Sequence, residues 1–408
     1  MRVSTSNMFD ANIATLQRRQ QNLLESQQRL TSGKKVERAS DDPTSAARAE
    51  RALTTIGRMD ANQRALEASR NSLTLSESAL GDSSELLQQV RESMVAAGNA
   101  SYTDAERAGL AKKITGLRDQ LLSIANRSDG AGGYLFAGQG TDSAPFVDNP
   151  APLGVTYVGI PGARSSGTQD VYPLTVDGRA AWEMARTGNG SFVTSAQGNP
   201  SGATPKSWID SGRVLDPSAV TGANYQIVVN GTGATATYSV TNLSTGAAVT
   251  TDDPTGAFKT GKAIKFDGIT VTLSGSAQDG DTFNINPSAP GLKVFDVLDK
   301  AIADLTTTNR SPIEIAQTNS SSLRDLDAVM GQLQNVRSQV GEQLNNLDGS
   351  ESRMASVKLY SQSEKSAAED LDMVQGISDF QNQQTSYDAA LKTYASVQKL
   401  SLFQYINA

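Results

Sequence analysis

Cysteine and histidine are both absent from the 408 residues. Their absence removes disulfides, thiolate nucleophiles, zinc sites built on thiolate or imidazole, and every triad that needs an imidazole base. The compartment stays open, because a cysteine-free chain suits the cytosol and export alike. Positive charge is in deficit: 36 Lys and Arg face 43 Asp and Glu, for a net charge of −7. With no basic block either, the electrostatic footprint of a nucleic-acid binder is missing. Long apolar runs are missing too. No stretch approaches the ~18 consecutive apolar residues of a membrane span. Ser4, Thr5, Ser6 and Asn7 follow Arg2 where a signal peptide would carry its apolar segment. The expectation is a chain that neither crosses a membrane nor carries a general secretory signal.

Proline is scarce outside one region. Of 13 prolines, 11 lie between Pro145 and Pro290, together with both tryptophans and 19 of 35 glycines; the flanks hold only Pro43 and Pro312. Proline breaks helix interiors and glycine weakens them. The distribution therefore predicts an α+β chain, with two long helical flanks around one mainly β insert. We divide it into a terminal-helix segment (1–42), the first half of a helical rod domain (43–140), the β-rich insert (141–290), the second half of the rod (291–365) and a closing terminal-helix segment (366–408).

The two ends rhyme. Met373, Ile377, Phe380, Gln384, Tyr387, Leu391, Tyr394 and Gln398 recur at alternating spacings of four and three. Phe9, Ile13, Leu16, Gln20, Leu23, Gln27 and Leu30 do the same. Each set is a heptad seam, and together they predict a coiled coil made by both chain ends. So few apolar side chains do not offset the entropy of ordering such helices, so the seams need partners. Charge favours the pairing weakly: residues 1–60 carry ten bases against seven acids, and residues 349–408 five against seven. Gln20, Gln27, Gln384 and Gln398 either constrain register inside the seam at a cost in affinity or simply face solvent.

In chain order, Gly33 reads as the residue that stops the first helix. Ser40-Asp41-Asp42-Pro43 reads as the start of the next, Asp42 capping free N–H groups and Pro43 in the first turn. Asp41 and Asp42 also suit a catalytic or metal pair, but capping is a sufficient job for neighbours at a helix start. Met59, Leu66, Leu73, Leu80, Leu87 and Met94 recur every seventh residue along a long helix. A break at Gly98, Asn99 and Ser101 leads into a second helix through Leu110, Ile114, Leu117, Leu121 and Ile124. Gly138-Gln139-Gly140 has the opening of a dinucleotide loop, yet Ser143 and Pro145 spoil it, so a turn is expected and no cofactor. In the insert, Asp267-Gly268 between alternating apolar residues predicts a hairpin, and 226–230, 237–240 and 283–285 read as strands. Asp267, Asp279 and Asp281 lack calcium-loop spacing and are assigned to turns. Beyond Gly291, one helix through Phe295 to Leu305 and another through Leu323 to Leu347 are expected, with a turn at Asp348-Gly349.

Met1-Arg2-Val3-Ser4-Thr5, Leu30-Thr31-Ser32-Gly33-Lys34-Lys35-Val36 and Ala39-Ser40-Asp41-Asp42-Pro43 resemble the N-terminal signature of bacterial flagellin-like axial proteins. Tyr134-Leu135-Phe136-Ala137-Gly138 is similar to the hook-associated branch more than to flagellin, and Gln383-Gln384-Thr385 with Ser401-Leu402-Phe403-Gln404-Tyr405 resembles the family's closing helix. Gln404 stands where the family usually has Asp, and the chain continues to Ala408. The resemblance covers both flanks, about 250 residues. It implies a structural subunit, not an enzyme. Such a subunit leaves the cell through the flagellar type III apparatus without a cleaved signal. It is built into the extracellular flagellum between the hook side and flagellin. The partners implied are neighbouring copies, a preceding hook-associated protein, flagellin and an export chaperone, with no cofactor.

The residues themselves support that reading through coupled folding and assembly, in which mobile tails order when neighbouring tails complete the bundle. Flagellin or another axial filament subunit is the alternative of the same class. A secreted hydrolase working by carboxylates lacks a visible constellation, and a surface adhesin would not explain the paired end signatures.

Overall fold

In the computed structural model, residues 2–140, 143–150, 152–166 and 171–406 are described, with side chains at the two ends from residue 10 onward and up to residue 396. The α+β architecture expected from proline and heptad spacing is the one observed. Helices α1 (Arg2–Ser32), α2 (Pro43–Ala97) and α3 (Asp104–Ala125) come first. Short strands follow: β1 (Phe146–Asn149), β2 (Gly154–Tyr157), β3 (Ser165–Ser166) and β4 (Tyr172–Pro173), then a short helix α4 (Gly178–Trp182). The insert continues with β5 (Ala185–Arg186), β6 (Phe192–Gly198), β7 (Ser207–Ile209), β8 (Arg213–Val214), β9 (Tyr225–Asn230) and β10 (Thr237–Asn242). It closes with β11 (Ala263–Phe266), β12 (Ile269–Gly275), β13 (Thr282–Pro287) and β14 (Pro290–Leu292). Helices α5 (Val294–Thr306), α6 (Pro312–Glu369) and α7 (Met373–Ile406) complete the chain. Two compact units emerge: Met1–Arg64 with Gly349–Ala408, and Ala65–Asp348.

The heptad stripe of α2 is its buried face. Leu66, Leu73, Leu80 and Leu87 are wholly inaccessible and Met94 nearly so. The turn between α2 and α3 leaves carbonyls that need donors. The buried Arg107 guanidinium supplies them, donating to the carbonyl oxygens of Ala97, Asn99 and Tyr102. Thr103 and Glu106 form a reciprocal capping box that fixes where α3 begins.

A second box, Ser311 with Glu314, starts α6. That helix then runs unbroken through Asp348-Gly349, where a turn was expected. One glycine inside a helix costs only about 1 kcal/mol relative to alanine. Buried Leu347, Ser350, Met354, Ser361 and Ala368 continue the inward stripe on both sides of it, and packing outweighs propensity.

In the insert, β10-β9-β13-β6 form one antiparallel sheet, and β11-β12-β7, with β8 also on β12, form another. Their alternating inward residues share one apolar cluster that includes Ile227, Val229, Val271, Leu273, Phe283 and Ile285. The Asp267-Gly268 turn has positive φ at both residues, 41° and 75°, as a two-residue hairpin of this hand requires. The three carboxylates with a conceivable calcium role are all engaged in local bonding. Asp281 accepts from Lys206 N, Ser207 N, Ser207 Oγ and Asn199 Nδ2. Asp279 accepts from Gly231 N, and Asp267 from the Tyr225 hydroxyl.

An aromatic cluster ties the short strands to α5. Buried Trp182 stacks on Phe295 at 5.8 Å and meets Phe136 and Phe146 edge-on at 5.7 and 5.9 Å. Beside it Arg118 of α3 bridges Asp148 of β1 and Asp299 of α5. Its two carboxylate partners raise the Arg118 pKa against the opposing effect of burial, and Arg118 in turn holds Asp148 low. The glycines before it serve a close approach: Gly138 has φ 68°, and a Cβ there would lie 2.0 Å from the Ile160 carbonyl oxygen. This is a turn fitted against backbone, and among the described residues between it and β1 there is no helix.

Candidate subunit interface

The unit made by the two chain ends is built on a break that both strands of the chain make at one level. Gly33, at φ 71°, ends α1, its N–H donating to Arg29 O at 2.9 Å. Lys35 N then donates to Glu369 O and Leu371 N to Gly33 O, both at 2.8 Å. A Lys34–Glu369 ion pair at 3.0 Å and a bond from Lys35 Nζ to Ala367 O add to this two-strand latch.

The neighbouring aspartates organise the same break. Asp41 accepts from Glu37 N and Arg38 N, and these bonds lower its pKa. Asp42 accepts from Thr44 N and Ser45 N and from both hydroxyls, the Ser45 hydroxyl contributing most to holding its carboxyl far below the usual range. Pro43 is the first residue of α2. Asp372 plays the same part for α7, accepting from Val374 N and Gln375 N. Every one of these carboxylates is engaged by local donors, Asp42 and Asp372 at helix starts and Asp41 in the loop before α2.

Beyond the latch, α1 and α7 run antiparallel: Leu30 lies against Gly376, and Arg19 donates to the Ser386 carbonyl oxygen at 3.3 Å. Gly376 allows the approach, since a Cβ there would sit 3.2 Å from Leu30 and 2.8 Å from Leu371.

The stripe read from the sequence divides in two. Leu16, Leu23, Leu30, Phe380, Tyr387 and Tyr394 are half-buried between the helices. Gln20, Gln27 and Gln384 are exposed, and so are Ile13, Met373, Ile377 and Leu391, at 38%, 47%, 47% and 40%. The side chains of Phe9 and Gln398 lie outside the described residues.

The alternate positions facing the partner helix are Asn12 and Ser26 on α1 and Gln383 and Ala390 on α7, all half-buried. An apolar-only search passes over them. Their signal is that they complete four-and-three spacing with the half-buried set, using small or polar residues where a coiled coil usually places aliphatic ones. The consequence is a pair whose own contact is thin and whose remaining apolar side chains are left outside.

Among the described residues no group of three acidic, Cys or His side chains could hold a metal ion, and no helix is long and apolar enough to cross a membrane.

Comparisons with known proteins point one way. The family model of the bacterial flagellin N-terminal helical region matches residues 3–141, and that of the flagellar hook-associated protein 1 D2-like domain matches residues 200–287. Flagellar hook-associated protein 3 of Escherichia coli K12 is 28% identical over 416 aligned residues, 99% of each chain. The crystal structure of Xanthomonas campestris FlgL is 30% identical with a TM-score of 0.64, over 76% of this chain and 99% of its own. That of the flagellar junction protein FlgL of Legionella pneumophila is 25% identical with a TM-score of 0.67, over 79% and 100%. These relatives are structural proteins of the flagellum, not enzymes. Full-length likeness, shared fold and the flagellin-type N-terminal region together mean that the chain belongs to the family of flagellar hook-associated protein 3, the FlgL junction proteins.

Proposed function

We propose that this chain is the subunit joining the hook side of the flagellum to its filament, and that it assembles through its terminal helices. The observation that carries the reading is the likeness to hook-associated protein 3 along 99% of both chains. The exposed apolar side chains of α1 and α7 support its mechanism. Ile13, Met373, Ile377 and Leu391 keep between 38% and 47% of their surface exposed in the single chain and would be covered by a neighbour, so folding of the tails is completed by assembly.

In this scheme segments 1–42 and 366–408 are the assembling ends, segments 43–140 and 291–365 make up the rod domain, and 141–290 is the insert. The partners are neighbouring copies, a preceding hook-associated protein, flagellin, and an export chaperone for a chain exported without a cleaved signal.

Deleting the gene and examining cells by electron microscopy, with flagellin assayed in the medium, tests the reading. Bare hooks and abundant free flagellin, reversed by the intact gene, are expected. Attached filaments would refute it, and bare hooks without free flagellin would make the chain flagellin itself.

A further inference from the structure

The α1–α7 pair has two unlike faces. At about 100° per residue, Ile13 and Leu24 fall to one side of the α1 residues that meet α7, and Thr15 to the other. On α7, Met373, Ile377 and Leu391 fall to one side of the contact residues, and Ser386, Ala389 and Thr393 to the other. For an antiparallel pair, the same angular sense on both helices brings side chains to the same face. One face is therefore an apolar ridge, with Leu24 57% exposed and the other four between 38% and 47%. The opposite face holds a groove of about 430 Å³, lined by the small Thr15, Ser386, Ala389, Ala390 and Thr393 together with Asn12, Leu16, Arg19 and Tyr394. Small walls admit a neighbour's side chains closely. Charge agrees: Arg19 lines the groove with, among the described residues, only the Ser386 carbonyl as a polar contact. Asp388, on the ridge side of α7, is exposed and has no polar partner among the described residues.

Resting on the reading that the terminal helices assemble, we infer that the groove receives the ridge of a second copy of this chain. The contact is heterologous: each copy offers its ridge to one neighbour and its groove to the next. Such contacts propagate around a ring or along a helix, whereas a ridge-to-ridge contact would stop at a pair. The ridge accounts for the exposure of Ile13, Leu24, Met373, Ile377 and Leu391, and the groove for the alanine, serine and threonine among the residues that line it.

The absence of native cysteine gives a direct test. Leu391→Cys marks the ridge and Ala389→Cys the groove. Two residues apart on one helix, they point to nearly opposite sides and cannot bridge within a chain. Each variant, and the double variant, replaces the natural chain in cells; isolated flagella are oxidised mildly and run on a denaturing gel without reductant. The double variant is expected to give dimers and higher multiples of the chain, and each single variant only monomer. Dimers from Leu391→Cys alone would overturn the inference in favour of ridge-to-ridge packing, and monomer throughout in intact flagella would overturn it outright. If the cysteine variants do not enter flagella, Ala389→Ser, which keeps the groove, is compared with Ala389→Trp, which fills it. At least tenfold lower incorporation of the tryptophan variant is expected, and equal incorporation overturns the inference. Intact filaments without cross-links would leave the junction role standing; attached filaments in the deletion strain would remove that role independently.

Discussion

Thr103 and Asp304 show how single side chains set stability here, one through backbone donors and the other through burial. The Thr103 hydroxyl accepts from Glu106 N while the Glu106 carboxylate accepts from Thr103 N. Thr103→Ala removes one half of that exchange and should lower stability by about 1 kcal/mol, read as a lower urea midpoint at unchanged slope. Asp304 works the other way. Burial, ahead of the opposing pull of Lys300 and Arg310, raises its pKa. A carboxyl that holds its proton more tightly in the folded state binds more protons there. Stability therefore falls as pH rises from about 4 through the folded value, and stays reduced above it. Asp304→Asn should be more stable than the natural chain at pH 7 and lose that advantage below about pH 4, by thermal melts at both values. Neither role is legible in the sequence with equal ease. Thr-x-x-Glu before an apolar period announces a cap, whereas the burial of Asp304 depends on packing that no local spacing encodes.

At the scale of elements, the aromatic cluster is where the insert is fastened to the helices of its unit. Trp182 fills its centre, so Trp182→Ala should cost about 3–5 kcal/mol. Hydrogen exchange should rise in α5 and in β1–β2 more than in the β9–β13 sheet; equal loosening everywhere would mean that the cluster is not a separate fastening. Long helices and the Asp267-Gly268 hairpin could be read from the sequence because periodicity and turn chemistry act within a dozen residues. The turn expected at Asp348-Gly349 failed because the stripe from Leu347 to Ala368 is satisfied only by burial. The strands of two to four residues between Phe146 and Arg186 were invisible for a related reason. The first of them, β1, is held by Trp182 and Arg118, whose other partners lie far away in sequence, and β5 by pairing with the distant β14. At the tails, the apolar half of the seam was visible at Leu16, Leu23, Phe380 and Tyr387. Its partner positions at Asn12, Ser26, Gln383 and Ala390 were not, because small or polar residues carry little hydrophobic signal.

For the whole molecule, the useful distinction is between side chains that stabilise one chain and side chains proposed to join copies. Leu16 is half-buried against α7, while Leu391 is 40% exposed in the same pair. Leu391→Asp should leave monomer helix content and the melt of the rod and insert unchanged yet abolish incorporation into flagella. Leu16→Asp should abolish incorporation and loosen the tails of the free chain as well. Native hydrogen exchange separates the two, with α1 and α7 deprotected in Leu16→Asp and unchanged in Leu391→Asp.

The same pair has a consequence for timing. The bond from Arg19 to Ser386 joins residues 367 positions apart, so α1 and α7 meet only by closing nearly the entire chain into a loop. A contact of that span forms late, after the local helices and hairpins whose loops are short. Helix α1 therefore waits for α7, and the surface on which copies are proposed to join does not exist until both are in place. Sequence separation thus delays the proposed joining surface until the intervening chain has folded.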